Sequence, residues 1–150
     1  MCGLVGLYQK EGEALQRIFD GLIQVQHRGQ DAGGICTLQS SKINTHKELG
    51  LISEIFRNID INILKGNIGI GHVRYPTAGT DNVNEAQPFH TTNPINIALA
   101  HNGTLTNSDE IKTKLKKLNF CQFNTNSDSE VLLNLLSYEL FKTNKNEFSN

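Results

Sequence analysis

Apolar and polar positions change period several times along the chain, and each change marks an element. Gly3-Leu4-Val5-Gly6-Leu7-Tyr8 is short and apolar, a strand whose two glycines permit close approach of another backbone. From Ala14 to Gln26, Leu15, Ile18, Phe19, Leu22, Ile23 and Val25 fall at helical spacing, and Gly29 after His27-Arg28 suits a C-terminal cap. The run Gly29-Gln30-Asp31-Ala32-Gly33-Gly34 is too glycine-rich for a regular element and predicts a loop leading into a strand, Ile35-Cys36-Thr37-Leu38. Ser40-Ser41 marks a hairpin with Ile43 to Glu48 returning, and two short helical turns cover 51–56 and 59–64. In 67–74, Ile68, Ile70, His72 and Arg74 alternate with small residues, the period of a strand. Residues 75–94 read as one long irregular connection, a kind of segment that is often functional. Ile95 to His101 is a further strand, closed by the turn Asn102-Gly103.

Two helices complete the pattern. Asn107-Ser108-Asp109-Glu110 predicts an N-cap with a glutamate three residues on, and Lys112, Lys114, Lys116 and Lys117 suit the negative end of the helix dipole. Ser127-Asp128-Ser129-Glu130 is the better capping box, opening an apolar helix through Leu140, with 142–150 as a polar surface segment. Strands and helices come in blocks, which favours a layered α+β arrangement in a single domain over 1–150.

Composition bounds the function more than the fold. At 150 residues, the chain is long enough to bury roughly two-thirds of its unfolded surface. A formal net charge of −1 gives no electrostatic case for nucleic acid or an anionic membrane as partner. There is neither an apolar run of spanning length nor a secretory signal pattern. Cys2, Cys36 and Cys121 are odd in number and widely spaced, which fits reduced thiols in the cytoplasm, and no spacing suggests a metal site.

Cys2 becomes the N-terminal residue once Met1 is removed, placing a thiol and a free amine on one residue. The thiolate is the nucleophile, and an α-amine with a pKa of roughly 7.7–8.0 serves as its base. Equally, Cys2 reads as a small apolar residue opening a buried strand. Four polar clusters fall at strand ends or in glycine-rich loops: His27-Arg28-Gly29-Gln30-Asp31, His72-Val73-Arg74, His101-Asn102-Gly103 and Ser127-Asp128. Singly, Arg28 reads as a helix cap, Asn102-Gly103 as a hairpin turn and Asp128 as a dipole partner. Taken together they complement a thiol. Asn102 offers a side-chain N–H and Gly103 an unhindered backbone N–H for an oxyanion, while Arg74 and Asp128 suit the carboxylate and ammonium of an amino acid.

The ordered motifs Met1-Cys2-Gly3-Leu4-Val5-Gly6, His27-Arg28-Gly29-Gln30-Asp31-Ala32, Gly71-His72-Val73-Arg74-Tyr75-Pro76-Thr77, Glu85-Ala86-Gln87-Pro88-Phe89, His101-Asn102-Gly103 and Ser127-Asp128-Ser129-Glu130 resemble the glutaminase domain of the amidophosphoribosyltransferase family. That resemblance implies an N-terminal-nucleophile fold, a four-layer αββα sandwich with antiparallel sheets, incomplete on its C-terminal side. It implies Cys2 as nucleophile, Asn102 and Gly103 as oxyanion hole, Arg74 and Asp128 as the groups that hold glutamine, and Arg28, Gly29 and Thr77 as pocket lining. Ammonia would pass to a phosphoribosyltransferase domain acting on phosphoribosyl pyrophosphate with Mg2+. These residues carry no phosphate-loop or paired-acid motif for that half. A homo-oligomer is expected for the whole enzyme, and neither a propeptide nor an iron–sulfur cluster is expected here. Sister amidotransferases share the Cys2 start and the Asn-Gly turn, so another ammonia acceptor, or a non-catalytic truncated module, stands as the alternative.

Overall fold

In this computed structural model, which describes residues 1–75 and 82–147, the opening strand is β1 (Gly3–Tyr8). Next come α1 (Leu15–Val25), a 3₁₀ turn over Gln26–Arg28, β2 (Ala32–Gln39), β3 (Lys42–Leu49), the short helix α2 (Ile52–Ile55) and β4 (Ile68–Arg74). The strands β5 (Phe89–Thr91) and β6 (Ile97–Leu99) precede two helices, α3 (Ser108–Lys117) and α4 (Asp128–Glu147). One antiparallel sheet runs β1-β4-β2-β3, and β5-β6 form a second antiparallel pair.

Alternation gives the larger sheet two distinct faces. Val5, Gly71 and Ile35 are register partners on one face. There α1 buries Ile18 and Leu22 in a cluster with Ile35, Ile52, Leu64 and Val73. The close approach depends on β4. A Cβ at Gly69 would stand 2.6 Å from Ile18, and one at Gly71 would stand 2.7 Å from both Ile18 and Leu22. The other face carries the cross-strand row Leu4, His72, Gly34 and Lys47. Against it lie β5 and β6. The Lys47 ammonium sits 4.6 Å from the Phe89 ring centre, Thr45 Oγ1 is 3.2 Å from His90 Nδ1, and Asn96 donates to the Ser41 carbonyl at 2.7 Å. With α4 on the outer side of β5 and β6 and α3 beside α4, the layers run helix, sheet, sheet, helix, the α+β arrangement expected. No helix among the described residues is long and apolar enough to cross a membrane.

Several local expectations are corrected. Gly29 is not a left-handed cap; α1 ends at Val25 with Gln26 as its C-cap, and Gly29 is extended (φ −163°). Its reason is steric, because a Cβ there would lie 2.5 Å from the Arg74 carbonyl carbon. The glycine-rich run is no loop beyond Asp31, since β2 starts at Ala32. Gly34 belongs in the strand because a Cβ would come within 2.6 Å of Lys47 Cβ and of the Gln87 carbonyl oxygen. The connection after β4 contains the strand β5 and a 3₁₀ turn over Val83–Glu85, which Asn82 caps by accepting from Asn84 N. Asn107 makes no side-chain cap. Ser127 does accept from Ser129 N at 3.3 Å, but Glu130 turns away to bind Asn124 N at 2.9 Å and Thr125 N at 2.8 Å. The last helix runs on to Glu147, so the segment expected as a polar tail begins helical.

Gly71→Ala is expected to cost about 1–3 kcal/mol by overpacking against α1, lowering the melting midpoint by roughly 2–4 °C per kcal/mol. At Gly6 a Cβ would meet Ile70 only at 3.9 Å, so Gly6→Ala stays within about 1 kcal/mol of wild type. Thermal melts followed by circular dichroism check both, and equal losses would contradict a helix seated on the β4 glycines.

Candidate active site

Cys2 is the residue immediately before β1, beside the end of β4. Its backbone carbonyl accepts from Arg28 Nε at 3.0 Å and from Asn102 Nδ2 at 3.2 Å. Its sulfur accepts from the Tyr75 amide at 3.5 Å. Three segments far apart in sequence thus meet on one residue. The 3₁₀ turn after α1 delivers Arg28, the end of β4 delivers Tyr75, and the turn after β6 delivers Asn102.

The Asn102 turn is held on both sides. Before it, the Gln87 side chain brackets residue 101. Gln87 Oε1 accepts from His101 N at 2.7 Å, and Gln87 Nε2 donates to the His101 carbonyl at 3.1 Å and to Ser129 Oγ at 3.2 Å. After it, Asp128 Oδ2 accepts from Leu105 N at 2.7 Å. Asp128 Oδ1 accepts from Ser129 Oγ at 3.4 Å. The His101 ring folds over Gly103, where a Cβ would stand 2.6 Å from Nε2. Asn102 Oδ1 lies 2.9 Å from Nε2 of His72, a fully buried histidine on β4. Burial holds the His72 imidazole neutral, with its pKa lowered to about 4. The Asn102 hydrogen bond opposes that shift, and the charges of Arg74 and His101 assist it.

Arg74 closes β4 and is buried between two acids. Its Nε is 3.6 Å from Asp31 Oδ2, and one terminal nitrogen is 4.0 Å from Glu85 Oε2. A cleft of about 400 Å³ opens here, lined by His27, Gly29, Gln30, Asp31 and Tyr75. Of the residues chosen from sequence, Cys2, Arg28 and Asn102 are brought into direct contact, Gly103 follows Asn102, and Asp128 anchors the same turn. Gly29 lines the cleft beside Arg74. Thr77 lies outside the described residues. A second, separate cavity of about 720 Å³, bordered by Lys47, His90, Cys121 and Glu130, is lined by none of these residues. Among the described residues no group of three or more His, Cys, Asp or Glu could hold a metal ion.

Sequence reasoning assigned no role to His72, Gln87, Asp31 or Glu85. Only His72 left a usable signal, a histidine sharing one strand face with Ile68 and Ile70.

Residues 72–149 match the glutamine amidotransferase domain family, a span that includes His72, Arg74, Asn102, Gly103 and Asp128. The chain belongs to that family. The amidotransferase domain is 49% identical over 141 residues to the amidophosphoribosyltransferase of Pasteurella multocida, covering 93% of this chain and 28% of that protein. It is 48% identical over 141 residues to the Escherichia coli amidophosphoribosyltransferase, again covering 93% and 28%. With the Methanocaldococcus jannaschii amidophosphoribosyltransferase it shares 43% over 145 residues, 95% of this chain and 31% of that one. Glutamine phosphoribosylpyrophosphate amidotransferase from Bacillus subtilis, solved with ADP and GMP, superposes with a TM-score of 0.75 at 39% identity, over 90% of this chain and 29% of that one. The antiparallel layers described above are therefore those of that enzyme's glutamine domain, the N-terminal-nucleophile fold. This chain spans about three-tenths of the length of the relatives it matches.

The His72 shift has a stability consequence. Between its ordinary pKa of 6.5 and the folded value of about 4, the unfolded chain binds a proton that the folded chain refuses. Stability through His72 is therefore complete above pH 6.5 and falls as the pH drops through that window, each unit of the gap being worth about 1.4 kcal/mol. Urea midpoints between pH 4 and 7 are expected to fall less steeply for His72→Gln than for wild type. Parallel slopes would contradict a neutral buried His72.

Proposed function

We propose that the domain hydrolyses glutamine at Cys2, and that in the whole protein the ammonia serves to aminate phosphoribosyl pyrophosphate. The supporting observation is the double grip of Arg28 and Asn102 on the Cys2 carbonyl, which holds an N-terminal thiol beside an amide donor. With Met1 removed, the Cys2 amine accepts the thiol proton and the thiolate attacks the side-chain carbonyl carbon of glutamine. Asn102 Nδ2 carries two hydrogens, one for the Cys2 carbonyl and one for the oxyanion, and Gly103 N is the second donor. The Cys2 ammonium then protonates the departing nitrogen, giving ammonia and a glutamyl thioester. Water, deprotonated by the same amine, attacks that thioester to release glutamate.

Arg74, oriented by Asp31 and Glu85, offers a fork suited to the α-carboxylate of glutamine. The Asp128 carboxylate accepts from Leu105 N and Ser129 Oγ and has lone pairs remaining for the α-ammonium. Arg28, Gly29 and Thr77 complete the pocket. The phosphoribosyl step, its Mg2+ and displacement of pyrophosphate belong to the remaining length of such proteins, and the relatives' names and their 43–49% identity support it. We place the protein in the cytoplasm, as a homo-oligomer in its whole form, needing no cofactor for the glutamine step.

An electrophilic glutamine analogue is expected to label Cys2 and spare the other thiols. Cys36 is buried with its pKa raised by that burial, and Cys121 is raised by burial and by Glu130. Cys2→Ala is expected to abolish ammonia release from glutamine while ammonia-dependent synthesis by the whole enzyme survives. Even labelling of the three thiols, or equal loss of both activities, would contradict the assignment.

A further inference from the structure

The side chain of Asn102 has two ends of nearly equal shape, and only one orientation serves an oxyanion. A 180° flip exchanges Oδ1 and Nδ2, and flipped, Oδ1 would face the Cys2 carbonyl, acceptor against acceptor. The Cys2 carbonyl therefore selects Nδ2, which leaves Oδ1 facing His72 Nε2 at 2.9 Å. Because Oδ1 only accepts, the proton of the neutral His72 ring must be on Nε2. The other ring nitrogen, Nδ1, is buried and has no hydrogen-bond partner among the described residues. Among the described residues, nothing on that side opposes the tautomer that Asn102 requires.

Backbone and side chain of the turn are held by different residues. Gln87 and Asp128 pin the main chain at His101 and Leu105, but neither touches the Asn102 amide. Among the described residues, that amide is hydrogen-bonded by Cys2, itself a reacting residue in the proposed mechanism, and by His72. His72 is well suited to the task. It lies in the middle of a paired strand, is fully buried, and has Leu4 and Gly34 as register partners on either side.

We infer that His72 is a positioning residue, donating from Nε2 to Asn102 Oδ1 so that the Asn102 amide presents its N–H groups to Cys2 and the oxyanion. The inference rests on the reading of Cys2 as a glutamine-cleaving thiol, but the contact itself is measurable without turnover. Losing His72 would leave the amide with a single hydrogen bond and free to rotate, which weakens the oxyanion donor without removing a group that binds glutamine.

The test uses the whole 150-residue chain with Met1 removed. Nitrogen-15 NMR of the histidine rings is expected to show His72 in the Nε2–H form from pH 5 to 8, with Asn102→Ala populating both tautomers. His72 in the Nδ1–H form, or a tautomer untouched by Asn102→Ala, overturns the inference whether or not glutamine is hydrolysed. In kinetics, His72→Leu is expected to lower kcat at least about tenfold, short of the roughly 10²–10³-fold cost of deleting an oxyanion donor, with KM little changed. The His72→Leu/Asn102→Ala double variant should be no slower than Asn102→Ala, and His72→Gln, whose amide also donates, should recover most of the loss. Independent, multiplying effects overturn the inference, as does a folded His72→Leu chain with wild-type kcat. If His72→Leu does not fold, the tautomer shifts and His72→Gln decide. A chain that hydrolyses no glutamine overturns the proposed function alone, because the NMR result still judges the contact.

Discussion

Two hydrogen bonds onto the Cys2 carbonyl, from Arg28 and Asn102, join the beginning of the chain to segments 26 and 100 residues away. A chain terminus ordinarily frays, because few contacts repay the entropy of fixing it. Here Cys2 is held in register with donors from elsewhere in the chain. Pairing of β1 with β4 aligns the terminus from Gly3 onward, and the carbonyl contacts carry that order one residue further, to the sulfur. An Arg–carbonyl bond is charge-assisted and stronger than a neutral one, which suits it to anchor an end.

The rest of the fold serves this alignment. Glycines on β4 let α1 settle directly on the sheet, so the turn after α1 presents Arg28 at the level of Cys2. Gly29 lies against the Arg74 backbone, which fixes that turn beside the end of β4. On the opposite face, a row that a hydrophobic core would fill with aliphatic residues instead carries His72 and Lys47. Lys47 has a structural task, donating to the Ala86 carbonyl at 2.6 Å and so tying β3 to the segment that bears Gln87. Gln87 in turn holds His101, and the Asn102 turn is reached by a continuous series of part-buried polar contacts.

Much of this was legible in the sequence. Period-2 and helical spacing located β1, α1, β3, β4 and the last two helices, because each buries a face against a neighbour. That Cys2, Arg28 and Asn102 would meet was suggested by chemistry alone, since a thiol, an amide and a guanidinium are complementary whatever the fold. What stayed hidden was tertiary in origin. Glycines at 33 and 34 look like a loop until Ile52, Lys47 and Gln87 are seen pressing on them. Strand β5 is three residues long and exists by pairing with β6, which no local pattern announces. Glu130 sits where a capping box wants it but finds better partners in Asn124 and Thr125. Asp31 and Glu85, on either side of Arg74, are 54 residues apart, so their pairing could not be read from spacing.

In the proposed reaction the thiol of Cys2 becomes covalently glutamylated during turnover. Peptide mapping of the Met1-free chain, acid-quenched within its first turnovers of glutamine, tests that most directly. A glutamyl mass is expected on the N-terminal peptide carrying Cys2, and none on the peptides carrying Cys36 or Cys121. Glutamine consumption with no such mass on the N-terminal peptide, or with the mass on another cysteine, would contradict it.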